Sequence, residues 1–219
     1  MSAETARESQ RATAEFDRQV HTLLQRRYPA AAGASAAEFL EHVGPLRESL
    51  AGLSAAADED PTEWSFPFVI VVTSALVPRA EAIQLVQRRG KAGFSVIEAD
   101  DLESFETISA VRPPRAPAYL LVAIETGRDT RNVTPDSALE VIESQRRFPL
   151  TLDEGIALVT HHPEAVARNR GFSLLGSRCG DRRVTAVWIS DGRPKLGWCW
   201  AGNPHSWLGS ASCAGRIGP

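Results

Sequence analysis

The amino-acid sequence predicts an α/β or α+β fold: a mixed β-sheet with flanking helices, a C-terminal β-hairpin and an N-terminal helical appendage. Three observations carry this expectation. Phe66–Val72 and Tyr119–Ile124 are short runs that are apolar at nearly every position, as strands covered on both faces are. Elsewhere apolar residues recur every three or four positions behind capping residues, the pattern of amphipathic helices. Near the C-terminus, two alternating segments flank Asp191-Gly192, a strong short-range hairpin signal. Strands interleaved with helices and then followed by a hairpin fit one mixed sheet with helices packed on it.

Taken in order, Phe16, Val20, Leu23 and Leu24 form one apolar stripe on a charged segment, which predicts a helix ending at Tyr28-Pro29. Ser35-Ala-Ala-Glu38 is a capping box opening a second helix with Phe39, Val43, Leu46, Leu50 and Leu53 on one face; Gly44-Pro45 should kink or split it. Ser54 to Glu63 is small, acidic and contains Asp60-Pro61, so it reads as a linker between a helical arm, residues 1–60, and a mixed-sheet core domain, residues 61–219. Beyond the first buried strand, Pro78 suits the first turn of a helix that Gly90 would stop. Phe94–Ile97 reads as a weaker strand. Asp100 is expected to cap a short helix through Ile108, with Glu103 reciprocating. After the second buried strand, Thr134-Pro135 opens a helix, and Thr151–Glu154 is a further capping box whose helix closes at His162-Pro163. His161-His162 would then be protonated imidazoles at a helix C-terminus, and Asp153 and Glu154 carboxylates at its N-terminus, all explained by the helix dipole. His21 and His42 read as surface residues. Arg183–Ser190 and Lys195–Ala201 are the arms of the hairpin.

Composition narrows the function classes. The chain has 219 residues, 43% of them apolar, with a net charge of −3, so there is no global electrostatic case for nucleic acid or a membrane surface. No apolar run approaches the length of a bilayer span. Met1-Ser2-Ala3-Glu4 shows neither a basic start nor an apolar stretch, so a secretory signal is not expected. Three cysteines argue against a disulfide framework and for a reducing cytoplasm. Only two of the 24 basic side chains are lysines, Lys91 and Lys195; the arginine excess reads as GC-rich codon usage.

Standard catalytic motifs are absent. Gly90-Lys-Ala-Gly93 lacks the glycine spacing of a phosphate loop, and Gly176-Ser-Arg-Cys-Gly180 places Arg178 where a nucleophile would stand. Three segments remain. Glu125–Asn132 follows the second buried strand, where ligands bind in open α/β sheets; Arg128, Asp129 and Arg131, beside the helix start at Thr134-Pro135, could hold an anion. Gly176–Arg183 adds Arg178 and Arg182 within a tail, residues 168–219, that carries eight basic and two acidic side chains, against six basic and twelve acidic over residues 98–154. That asymmetry is either an anion site or two parts of one fold attracting each other.

Lys195–Gly209 is the third segment. Trp198 and Trp200 should share one strand face with Cys199 on the other. The four tryptophans from Trp188 to Trp207 read as core, with the lining of a pocket as the alternative, Trp207 included. Cys199 and His205 allow a thiolate–imidazole pair. Cys179, Cys199, His205 and Cys213 allow a zinc site, although no short Cys-x-x-Cys turn preorganises it. No cofactor is otherwise expected.

At Thr126-Gly-Arg-Asp-Thr, Pro149-Leu-Thr-Leu-Asp-Glu-Gly, Gly176-Ser-Arg-Cys-Gly-Asp-Arg-Arg and Lys195-Leu-Gly-Trp-Cys-Trp-Ala-Gly-Asn-Pro-His, the chain resembles a family of uncharacterised proteins from high-GC bacteria, over roughly Phe66 to Arg216. The resemblance implies a cytoplasmic bacterial protein and supplies no catalytic residue. The expectation is therefore a soluble binding or interaction protein for a small anionic ligand such as a phosphorylated metabolite, held by Arg128, Asp129, Arg131, Arg178, Arg182 and Trp207. The alternative is an enzyme using Cys199 and His205. A homodimer through the N-terminal helices is a possible partner arrangement; nucleic acid and membrane are not expected partners.

Overall fold

A computed structural model describes residues 3–53 and 62–219, so the expected linker and the domain boundary at residue 60 fall largely outside the described residues. The chain begins with α1 (Ala3–Gln25), α2 (Tyr28–Ala31), α3 (Ala36–Val43) and a 3-10 segment over Gly44–Gly52. Phe16 and Leu23 of the predicted stripe are buried, with Val20 and Leu24 half-buried. The first helix ends before Tyr28-Pro29 because Arg27 adopts a left-handed conformation with φ 65°. The Ser35–Glu38 capping box is formed, and Gly44-Pro45 ends α3 by tightening the chain into 3-10 geometry, since proline cannot supply the next helical N–H.

The core follows as β1 (Ser65–Val72), α4 (Arg79–Leu85), the short strands β2 (Gln87–Arg88), β3 (Lys91–Ala92) and β4 (Phe94–Ser95), α5 (Ala99–Glu103), β5 (Glu106–Thr107) and β6 (Ala118–Glu125). Then come α6 (Pro135–Ser144), β7 (Phe148–Pro149), α7 (Leu152–His161), β8 (Gly171–Leu174), β9 (Ser177–Arg178), β10 (Arg183–Ser190), β11 (Arg193–Trp200), β12 (Leu208–Ser210), β13 (Ser212–Cys213) and β14 (Gly215–Ile217). Pro78 precedes α4, and Gly90 turns the β2–β3 hairpin at φ 76° instead of stopping a helix. Helix α5 starts two residues earlier than expected, with Glu98 at the N-cap and no side-chain cap, and ends at Glu103; Asp100 lies inside its first turn.

The fold is α+β, with most of the β-structure in two five-stranded sheets, and β2–β3 and β5–β9 as separate two-stranded pairs, where a single sheet was expected. The first runs β1-β6-β13-β7, with β14 also on β6, and is antiparallel throughout. The second runs β12-β8-β10-β11-β4 and is mixed, since β12 and β4 pair in parallel. The predicted hairpin is β10–β11, with Asp191 and Gly192 at φ 53° and 74° in its two-residue turn, the geometry that matches strand twist. Both predicted buried strands, β1 and β6, are neighbours in the first sheet, in the register Ser65↔Glu125 to Val72↔Ala118.

One core joins the N-terminal helices, β1, β6, α7 and the inner face of the second sheet: Phe16, Leu23, Tyr28, Phe39 and Leu46 pack in the same cluster as Phe68, Ile70, Leu158 and Phe172. A smaller cluster, with Ala138, Ile142, Val184, Ala186 and Cys199, fills the space between α6 and the other face of the second sheet.

The dipole reading is corrected for His161. Both rings are buried, and His161 Nε2 donates to Ile70 O at 2.9 Å. Burial holds the His161 imidazole down to about 3, so it is neutral. Asp153 and Glu154 likewise serve more than the dipole. Asp153 accepts from Arg79 Nε at 2.6 Å, and Glu154 is fully buried against Arg216 and Tyr119. His21 and His42 are exposed, as expected.

Candidate functional site

The C-terminal chain passes from the second sheet to the first across one residue, Ala211, between β12 and β13. Ala211 N donates to Ser173 O and Ala211 O accepts from Leu150 N, each at 3.0 Å, which pins this crossing to both layers. Beside the seam lies a cavity of about 180 Å³ at the carboxyl end of β6. Trp64 and Ser65 at the start of β1, Glu125, the turn Gly127–Thr130, Ile142 of α6 with Gln145 just beyond its end, and Ser210 and Ser212 line it. Two of the residues singled out from the sequence, Arg128 and Asp129, are on its wall, and both are exposed.

Close backbone packing holds the turn. Gly127 has φ 79°, a conformation that favours glycine, and its Cα faces the backbone of Ser210, while Gly209 in turn faces the Gly127 carbonyl. A Cβ on either residue would collide with main chain. Thr130 Oγ1 donates to Gly127 O at 3.0 Å and accepts from Ser210 N at 2.8 Å, so its hydroxyl satisfies both sides of the join. The opposite rim is braced by Arg147. Its Nε donates to Ser212 Oγ at 2.8 Å, its Nη2 to Ala123 O at 2.6 Å, and its Nη1 lies 3.4 Å from Glu125. Trp64 stands between the guanidinium groups of Arg131 and Arg170, 5.7 and 5.4 Å from its ring centre, an arrangement that fixes the indole by cation–π attraction.

The cavity is thus rigid at its base, with hydroxyls at Ser65, Thr130, Ser210 and Ser212, the guanidinium of Arg128, and carboxylates at Asp129 and Glu125. It is smaller than the ~300 Å³ at which drug-sized sites begin and suits a small polar molecule.

The other sequence-selected residues lie elsewhere. Arg131 turns to Ser206 O, donating from Nε at 2.8 Å, and supports the rim through Trp64. Arg178 donates from Nη1 to Leu175 O and Ser177 O at 2.9 and 3.2 Å, and Arg182 lies against Gly202; no residue of Gly176–Arg183 lines the cavity. Trp207 packs edge-on to Trp188 with ring centres 5.7 Å apart, and the two line a separate recess of about 200 Å³ with Arg170 and Asn169. Those two indoles are half-buried, but Trp198 and Trp200 are exposed, which corrects the expectation of four core tryptophans.

The cysteines do not converge. Cys199 is buried on β11, its Sγ 3.7 Å from Ser173 Oγ, while the His205 ring packs 5.4 Å from that of Trp207. Cys179 donates to Asp181 Oδ1 at 3.1 Å, and Cys213 sits in the first sheet. Burial raises all three thiols, Cys213 to about 12, which disfavours the reactive thiolate. Among the described residues no group of three His, Cys, Asp or Glu side chains is arranged to hold a metal ion, so the zinc constellation Cys179, Cys199, His205 and Cys213 is not assembled.

A model for a family of unknown function (DUF5701) matches residues 22–219. The chain belongs to this family. The DUF5701 match begins inside α1 and so includes α2 and α3 as well as the Phe66–Arg216 region that carries the resemblance in the sequence. That extent fits a core in which those helices are embedded. Neither a curated protein nor a solved structure matches the chain. Among the described residues no helix is long and apolar enough to cross a membrane.

Sequence reasoning missed Trp64, Ser65, Gln145, Ser210 and Ser212. They carry no local motif; the signal that led to their neighbours was position, a polar loop directly after a buried strand.

Proposed function

We propose that this DUF5701 protein binds a small anionic metabolite in the cavity at the end of β6, with Arg128 facing the anionic group. Asp129 and the hydroxyls of Ser210 and Ser212 would take the remaining polar atoms of the ligand. The observation that carries the reading is the rigid Gly127–Gly209 join, which holds Arg128 and Asp129 at the mouth of a polar recess at the sheet seam. Recesses with a few convergent polar groups are the usual form of small-ligand sites. Asp129 limits how much negative charge the site accepts, because like charges repel, while Glu125 is paired with Arg147. A ligand with one acidic group and a hydrogen-bond donor, such as a hydroxy or amino acid or a monophosphate ester, suits this balance better than a polyphosphate. The setting is that of a soluble cytoplasmic bacterial protein, supported by few cysteines, the acidic net charge and the resemblance in the sequence.

The test is a thermal-shift screen of carboxylic acids, amino acids and monophosphates, followed by calorimetric titration of the wild type and Arg128→Ala. A true ligand at 100-fold excess over its Kd stabilises by about 2.7 kcal/mol, and losing a charge-assisted contact weakens binding by roughly tenfold or more. No stabilising compound, or one whose affinity is the same in Arg128→Ala, overturns the proposal.

A further inference from the structure

Among the described residues only four large hydrophobic side chains are exposed, and three of them, Val96 (51%), Trp198 (37%) and Trp200 (46%), stand along one edge of the second sheet. That edge belongs to β11. Its outer neighbour β4 pairs with Lys195 and Leu196 alone, followed by one more bond in which Val96 N donates to Leu196 O at 3.0 Å. There the chain turns away: Ser95 Oγ accepts from Ile97 N at 2.9 Å and donates to Ile97 O at 2.8 Å, taking the groups that would have continued the ladder. Because the Leu196 carbonyl points to this edge and backbone direction alternates with period two, Trp198 presents its N–H and C=O and Trp200 its N–H to the same open side, while Trp200 O accepts from Asn203 N at 3.0 Å in the turn that follows. The indoles are fixed, with ring centres 4.8 Å apart in an edge-to-face pair.

Exposed edges are normally protected by lysine, proline, bulges or covering elements. Gly197-Trp-Cys-Trp200 has no charged residue and no proline. An unpaired edge flanked by two large aromatic rings is therefore built to be covered.

We propose that it is covered by β11 of a second copy of this chain, paired antiparallel about a twofold axis perpendicular to the sheet. Placing the axis at Cys199 sets Trp198 of each copy opposite Trp200 of the other. All four indoles then lie on one face of a continuous sheet, where cross-strand aromatic pairs add stability. Charge complementarity selects a second copy over an unrelated peptide. The same axis carries the Gly202 end of one strand to the Val96 end of the other. Arg182 lies against Gly202, and Glu98 follows Val96 by two residues. Both are exposed, and neither side chain has a partner among the described residues. The twofold brings each Arg182 to the Glu98 of the other copy, so one contact is made twice, as an isologous interface requires. The apolar stripe of α1, in contrast, is consumed inside the monomer, where Phe16 and Leu23 are buried.

Sedimentation equilibrium of the full chain across the micromolar range is the direct test, with near-ultraviolet circular dichroism to show that each variant is folded. The expected result is a reversible dimer whose dissociation shifts tryptophan emission to the red. Trp200→Glu should be monomeric throughout. Arg182→Glu and Glu98→Arg should each weaken the dimer about tenfold or more, and the double swap should restore most of the affinity. A wild type that stays monomeric, including one that instead captures extended peptides, overturns the proposal. So does a dimer that survives Trp200→Glu, or charge swaps that fail to compensate.

Discussion

Gln19 Oε1 accepts a hydrogen bond from Ile70 N at 2.7 Å while its Nε2 donates to Phe68 O at 2.9 Å. The side-chain amide of a helix thereby copies the pairing of a neighbouring strand. β1 ends its sheet, and its outward backbone groups would otherwise be buried and unmatched beneath α1 and α7. His161 Nε2 satisfies the remaining carbonyl, Ile70 O. The helical N-terminus is thus bonded into the sheet as well as packed on it.

Replacing Gln19 with leucine should therefore cost more than its conservative volume suggests. Two buried main-chain groups lose their partners, each worth ~1–3 kcal/mol, so Gln19→Leu is expected to destabilise by about 2–6 kcal/mol in urea denaturation. Gln19→Glu should also lose stability, because a carboxylate cannot donate to Phe68 O. Wild-type stability in both variants would refute the strand-mimic role.

Glu154 provides a second test. Its carboxylate, fully buried, accepts from Arg216 Nε at 2.5 Å and Nη2 at 2.8 Å, from Tyr119 Oη at 2.7 Å and from Thr151 N at 2.7 Å. This ties the C-terminal strand β14 to the start of α7. Breaking one side of a buried pair leaves the other charge uncompensated, a loss of about 3–5 kcal/mol. Arg216→Met should show that loss in chemical denaturation, and adding Glu154→Gln should recover part of it, since the two substitutions share one interaction. Strict additivity would contradict the coupling.

The pH dependence follows from His161. Its imidazole titrates near 3 in the folded protein and near ~6.5 when the chain is unfolded. Below pH ~6.5 the unfolded chain takes up a proton that the folded protein refuses. This contribution to stability is whole above that pH and is lost as pH falls toward 3, by up to ~1.4 kcal/mol per pH unit. Urea denaturation at neutral and mildly acidic pH should show a steeper loss in the wild type than in His161→Gln. Identical slopes would mean that His161 does not remain neutral.

Local signals in the sequence placed most elements well. The capping boxes at Ser35–Glu38 and Thr151–Glu154, the Thr134-Pro135 start, the buried strands β1 and β6 and the Asp191-Gly192 hairpin all depend on residues within a few positions of one another. Backbone and side-chain preferences act at that range. The candidate site was half legible for the same reason. Arg128 and Asp129 were found because a polar loop after a buried strand is a local pattern, whereas Trp64, Gln145 and Ser210 reach the cavity from three distant segments. Gln19 and Arg216 carry no local signal, because nothing near them in the chain reveals the carbonyl or carboxylate they meet.

What the sequence determined by itself was the type and rough extent of the helices and strands, through periodicity, caps and turns. The tertiary structure alone decided that most of the strands divide into two sheets, that Ala211 is the crossing between them, that the N-terminal helices close the edge of β1, and that Arg128 faces a recess while Arg178 and Arg182 do not. The physical reason is one of range. Secondary structure follows from torsional preferences and hydrogen bonds between near neighbours, but which buried polar group finds which partner is settled only when remote segments desolvate together, and then each group left unmatched carries a penalty.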